Sequence, residues 1–160
     1  MLKSDDLREF RPVYKYQDGS SVTLKAIQTA LTEQANTVGL PIAFYDDQVK
    51  SGGLFNKLIE DCIVLYHPEH KNDYFKFAIR VQRQGNLAFV YVNDFGKSSQ
   101  MAKAQIAESY KNDRQGQRMS YKVGSLVGQA LTTIGRSKTK LEAEQNYYYA
   151  LEEILDQVIS

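Results

Sequence analysis

The chain has 160 residues, of which 42% are hydrophobic and 24% charged, and its formal net charge is +1. This length and composition suit one hydrophobic core, so they favour a single domain over residues 1–160 and exclude a disordered or fibrous protein. The single cysteine, Cys62, excludes an intramolecular disulfide and a cysteine-based zinc site.

The first residues of the chain carry charge where a secretory signal would need an apolar core. Residues 1–11 are polar in character and predict a flexible lead-in to the domain. No apolar run approaches the roughly 20 residues that span a bilayer, so we expect no transmembrane segment. Together these features predict an intracellular, cytoplasmic protein.

The next elements are a short strand, a helix and a second strand. Residues 13–16 alternate as an edge strand does. Apolar side chains then recur at helical spacing over Leu24–Val38, and Gly39 can take the left-handed conformation that ends a helix. Residues 41–45 predict a strand, and the glycine-containing residues 51–53 predict a mobile loop.

Residues 58–93 predict a three-stranded antiparallel meander. The apolar run 62–66 is typical of a strand that is covered on both faces. Alternation over 74–82 predicts a strand with one core-facing side, and residues 87–93 form the third strand after a tight turn.

Three helices are predicted after the meander. Residues 102–110 and 123–134 each form an apolar stripe at helical spacing, and the last helix opens with a capping box of Thr139 and Glu142. The expected fold is therefore α+β. It is an antiparallel sheet of about five strands, with an N-terminal helix and three C-terminal helices packed on it.

Charge is distributed unevenly over the C-terminal half. Residues 97–140 contain nine Lys and Arg against two acids, whereas residues 141–160 contain five acids and no base. The basic side chains fall at helical spacing and predict a stripe for nucleic acid, an anionic surface or an acidic partner, unless the acidic last helix pairs with it. The candidate anion-binding residues are Lys97, Ser98, Lys103, Lys111, Arg114, Arg118 and Lys122.

A second candidate site is placed at strand ends. Gly96-Lys97-Ser98 lies at a strand-to-helix junction, but Tyr91 stands where a phosphate-binding loop requires glycine, which excludes a nucleotide loop of that type. Asp46, Asp47 and Asp94 also follow predicted strands. A small-molecule or anion-binding site at residues 46–47 and 94–98 is therefore an alternative.

No arrangement of residues predicts catalysis. His67 and His70 flank a turn and are the candidate metal ligands, but a metal site needs a third ligand and we expect no cofactor. Apolar neighbours predict that Cys62 is a buried, inert thiol. We therefore expect no catalytic residues and favour a protein that is not an enzyme.

Tyr147, Tyr148 and Tyr149 place more aromatic surface around the last helix than one buried stripe requires. Such a surplus indicates an interface. We therefore expect a non-catalytic protein-interaction or self-association module, which binds a protein partner or a second copy. Binding of nucleic acid or an anionic surface through the basic stripe is the alternative of a different class.

Overall fold

The computed structural model of the protein describes residues 1–98 and 137–160. These residues form seven strands and two α-helices, with a short 3-10 helix at Ser4–Asp6. The elements are β1 (Leu2–Lys3), β2 (Arg8–Glu9), β3 (Tyr14–Tyr16), α1 (Leu24–Val38), β4 (Ala43–Ser51), β5 (Leu58–Tyr66), β6 (Lys76–Gln84), β7 (Leu87–Phe95) and α2 (Ser137–Val158).

The strands form one mixed sheet in the order β1-β4-β5-β6-β7-β2, and β3 also pairs with β7. β1 runs parallel to β4, and the other pairs are antiparallel. β4 to β7 follow one another in the chain and pair as neighbours, as hairpin-connected strands do. The predicted meander is therefore present, and β4 extends it by one strand.

α1 forms where the apolar spacing predicts it. The side chain of Thr23 accepts a hydrogen bond from the backbone N–H of Ala26 at 3.0 Å, which caps the first turn. Gly39 ends the helix at φ 71°, a left-handed conformation that is unfavourable for residues with a Cβ atom. The side chains of Ile27 and Leu31 are buried against the sheet and α2.

The sheet is covered on both faces, which explains the continuous apolar run in β5. Ile63 and Leu65 point to the face that packs against α1 and α2, in the main core. Cys62 and Val64 point to the opposite face and belong to a smaller cluster that Leu2 and other N-terminal residues cover. The N-terminal segment, for which a flexible lead-in was predicted, contributes two strands and part of this cover.

The predicted fold class is wrong in its details. The sheet has seven strands and one parallel pair, not about five antiparallel strands, and the described residues hold two helices in place of four. β1 and β2 have two residues each, too few to produce a periodic signal. The predicted helices at 102–110 and 123–134 lie outside the described residues. Of the predicted C-terminal helices, only the last is described.

Within residues 1–98 and 137–160, neither helix combines the length and the apolar character needed to cross a bilayer.

Candidate functional site

One edge of β4 is open. β4 pairs with β5 along its whole length, whereas β1 covers its other edge only at Val49 and Lys50. The backbone N–H of Gln48 donates to Asp47 Oδ1 at 2.8 Å, so it points away from β5. The backbone N–H groups of successive residues point to opposite edges of a strand. The N–H of Asp46, two residues before Gln48, therefore also points to the open edge of β4. In the described part of the chain, no strand takes up these groups.

An open groove of about 810 Å³ lies beside this edge, on the face that α1 covers. The first turns of α1 form one wall, and β4 and β5 form the floor. The lining residues are Leu24, Lys25, Gln28, Phe44, Tyr45, Asp46, Asp47, Gln48, Asp61, Cys62 and Ile63. A groove of this size that runs along a strand edge suits an extended segment of chain.

The groove is predominantly acidic. The carboxylates of Asp46 and Asp61 are exposed, and among the described residues neither takes part in an ion pair. Asp61 accepts a hydrogen bond from Gln48 Nε2 at 2.9 Å, which holds its carboxylate beside β4. Asp47 lies 3.1 Å from the amino group of Met1. The only base that lines the groove within the described residues belongs to α1.

A second cluster of titratable groups surrounds the loop between β5 and β6. The rings of His67 and His70 have centroids 4.6 Å apart, and His70 stacks on Tyr74 at 4.0 Å. His70 Nδ1 lies 3.1 Å from Asp73 Oδ2. His67 Nδ1 accepts a hydrogen bond from the backbone N–H of Glu69, and burial lowers the pKa of His67 below its usual value. Both features favour the neutral imidazole of His67.

The rings of the two candidate metal ligands, His67 and His70, are therefore in contact with each other. Within the described residues, however, no group of three or more His, Cys, Asp or Glu side chains is arranged to hold a metal ion. The aromatic rings of Tyr74 and Tyr147 occupy the space around His67 instead. These contacts give the cluster a packing role between the β5–β6 loop and α2.

Glu144 is a buried carboxyl group that the sequence interpretation missed. The hydroxyl of Tyr148 donates to Glu144 Oε1, and Tyr148 Oη in turn accepts from the backbone N–H of Phe75 at 2.9 Å. Burial raises the pKa of Glu144 to about 7, although hydrogen bonds with Ser98 and Tyr148 act to lower it. From the sequence alone, Glu144 is only one of the five acids of residues 141–160. Its spacing of three from Leu141 already placed it on the buried stripe.

The predicted tyrosine surface mostly faces inward. Tyr147 and Tyr148 are buried, and the hydroxyl of Tyr147 donates to the carbonyl oxygen of Pro41 at 3.0 Å. Tyr149 is half-buried against the main core, and its hydroxyl accepts from Gln145 Nε2 at 2.9 Å. These hydroxyl groups satisfy polar contacts within the chain, which explains the aromatic surplus on α2.

The predicted anion-binding residues are described only in part. Lys97 is exposed, and Ser98 is buried and hydrogen-bonded to Glu144. The other members of the basic stripe lie outside the described residues: Lys103, Lys111, Arg114, Arg118 and Lys122. Binding of nucleic acid through this stripe therefore stays a prediction.

The strand-end aspartates do not share a site. Asp46 and Asp47 lie within β4, whereas Asp94 lies on β7, three strands away and so about 14 Å distant at the usual strand spacing. Asp94 is buried and accepts a hydrogen bond from Arg8 Nε at 2.7 Å. Asp46 and Asp47 thus line the groove, whereas Asp94 binds Arg8 and so helps to attach β2 to β7.

Cys62 is buried on the sheet face that the N-terminal segment covers, and burial raises the pKa of its thiol to about 11. Because the thiolate is the reactive form, we expect iodoacetamide to modify the native protein very slowly at about pH 8. Mass spectrometry should show complete modification once urea unfolds the chain. Rapid modification of the native protein would contradict the burial of this thiol.

No family model, curated protein or solved structure matches this chain. The functional argument therefore depends on the chemistry and geometry of the described residues.

Proposed function

We propose that this protein is a non-catalytic interaction module that binds an extended, basic segment of a protein partner along β4. The observation that carries this proposal is the open edge of β4 beside a groove in which acidic side chains outnumber the single lysine, Lys25. A strand that joins the edge would form backbone hydrogen bonds and extend the sheet by one strand.

The side-chain alternation of an added strand gives the proposal its specificity. Every second side chain of the partner would point to the face of the sheet that bears the groove, where Asp46 and Asp61 are exposed. Lysine or arginine at these positions would pair with the two carboxylates. The intervening side chains would point to the opposite face, where Tyr45 is half-buried.

The same charges disfavour a second copy of this chain as the occupant. A symmetric antiparallel contact between two β4 edges, centred near Asp46 and Asp47, would set the carboxylates of one copy against those of the other. Charged side chains on an exposed edge are a common means of preventing such pairing. The edge therefore selects for a partner strand of opposite charge.

Peptide display provides the test. We expect peptides selected on the native protein to be enriched in Lys and Arg at alternate positions, and to bind about tenfold more weakly to the variant Asp46→Lys/Asp61→Lys. The matched control is Glu33→Lys/Glu153→Lys, which makes the same charge change at exposed positions away from the groove. This control should retain binding.

Hydrogen exchange distinguishes strand addition from a purely electrostatic contact. A bound peptide should slow the exchange of the backbone amides of Phe44 and Asp46, which point to the open side of β4. Selected peptides that bind without protecting these amides, or that bind both charge variants equally, would refute the proposal.

A further inference from the structure

The tip of the hairpin between β4 and β5 exposes apolar side chains. Phe55 is 96% exposed and Leu54 is 87% exposed, and both occupy the extreme end of the loop. Leu58 and Ile59, the first residues of β5, are 53% and 50% exposed. Single exposed apolar residues are ordinary, but four within six positions at one projecting tip form a patch that indicates a binding surface.

The backbone holds this tip in a narrow shape. Gly52 adopts φ 86°, and a Cβ at this position would lie 1.8 Å from the backbone oxygen of Asn56. The loop therefore closes tightly, which presents Leu54 and Phe55 at its end. Leu58 and Ile59 are adjacent in a strand and point to opposite faces of the hairpin. The tip is thus apolar at its end and on both sides.

Lysines lie at the base of the tip. Lys3 of β1 is directly opposite Lys50 of β4, and Lys57 is exposed just before β5. Within the described residues none of the three takes part in an ion pair, although Asp5 lines the same small cleft as Lys3 and Lys50. Like charges placed opposite each other on neighbouring strands repel, so an anionic surface at this position would be stabilising.

We propose that the β4–β5 tip inserts into the headgroup region of an anionic lipid bilayer. Leu54 and Phe55 reach the boundary between the headgroups and the acyl chains, where lipid surrounds the tip on all sides. The three basal lysines contact the anionic headgroups. Two apolar side chains and three lysines give weak, reversible binding, since each contributes only a modest free energy.

A lipid surface fits this tip better than a second copy does. Two tips in symmetric contact would bury mainly Leu54 and Phe55 of each copy, and even a fully covered aromatic side chain buries only about 150–250 Å². The total is below the roughly 1,200 Å² of a stable interface.

The absence of tryptophan from the sequence permits a direct test. Phe55→Trp introduces one tryptophan at the tip, and Val38→Trp introduces one at the C-terminal end of α1, where Val38 is 57% exposed. Vesicles contain about three parts phosphatidylcholine to one part phosphatidylserine, a composition that supplies an anionic surface. We expect the emission of the tip tryptophan to shift to shorter wavelength and to be quenched by brominated lipid. The control tryptophan should show neither effect.

Vesicle co-sedimentation then measures how much the apolar side chains and the lysines each contribute to the partition coefficient. Leu54→Ser/Phe55→Ser should reduce the partition coefficient about 30-fold, and replacing each basal lysine with glutamine should reduce it about 5-fold. Asp46→Lys/Asp61→Lys should not weaken vesicle binding, which separates this proposal from the groove on β4. Thermal unfolding should show that these surface variants remain folded.

Three results would overturn the proposal. The first is no emission shift for the tip tryptophan on anionic vesicles at low salt. The second is equal binding to vesicles of phosphatidylcholine alone, because the lysines would then have no role. The third is a shift that occurs without vesicles and accompanies dimer formation in light scattering, which would assign the tip to a second copy.

Discussion

Glu144→Gln should remove a pH-dependent loss of stability from the native protein. Burial raises the pKa of Glu144 from 4.5 to about 7 in the folded state, so between these values the folded chain binds more protons than the unfolded chain. Its contribution is therefore favourable below about pH 4.5 and is lost as the pH rises to about 7. A shift of this size corresponds to about 3 kcal/mol in the free energy of unfolding.

Glutamine retains the shape of glutamate and an oxygen that can accept from Tyr148, but it cannot ionise. We therefore expect the variant to match the native protein near pH 4.5 and to be more stable by up to about 3 kcal/mol near pH 8. Urea unfolding at a series of pH values measures the difference. Glu153→Gln, at an exposed position on the same helix, is the control. A stability difference that does not change with pH would contradict the prediction.

The elements that sequence alone could predict are those with a long periodic signal. The alternation in β6 and the helical spacing in α1 extend over enough residues to identify each element. β4 was predicted only over residues 41–45 because Asp46 and Asp47 interrupt its apolar pattern, whereas the strand continues to Ser51. Charged side chains are tolerated on an edge strand. That β4 lies at an edge, however, follows only from the order of all the strands in the sheet.

The candidate sites were harder to predict because they depend on the tertiary structure more than on a local pattern. The groove combines the beginning of α1 with side chains of β4 and β5, and only the sheet order shows that β4 has an open edge. Residues 51–53 were predicted as a loop, but the exposure of Phe55 depends on the tertiary structure, in which none of the described elements covers the tip. Glu144 had a local signal, since its position falls on the apolar stripe of α2.

The attachment of β2 to β7 shows the same dependence on distant residues and leads to the second large effect. Arg8 Nε lies 2.7 Å from Asp94 Oδ1, and a further guanidinium nitrogen of Arg8 donates to the carbonyl oxygen of Gly96 at 3.1 Å. The guanidinium also lies 4.5 Å from the ring centroid of Phe75. Asp94 is buried, so removal of the Arg8 guanidinium would leave its carboxylate charge buried without this partner, which lowers the stability of the folded state.

We expect Arg8→Ala to reduce the free energy of unfolding by about 3 kcal/mol, the lower end of the range for breaking a buried ion pair, because Arg8 is itself half-buried. Arg8→Ala/Asp94→Asn should recover part of this loss, since it also removes the buried charge. Urea unfolding of the two single variants and the double variant forms the cycle that isolates the pair. The ion pair does not hold β2 if Arg8→Ala reduces the free energy of unfolding by less than about 1 kcal/mol. The same conclusion follows if the change in the double variant equals the sum of the changes in the two single variants. If it does hold β2, Arg8→Ala should also speed amide exchange in β1, because the same N-terminal segment carries both strands. Lys3, at the base of the hairpin tip, would then lose its fixed place opposite Lys50.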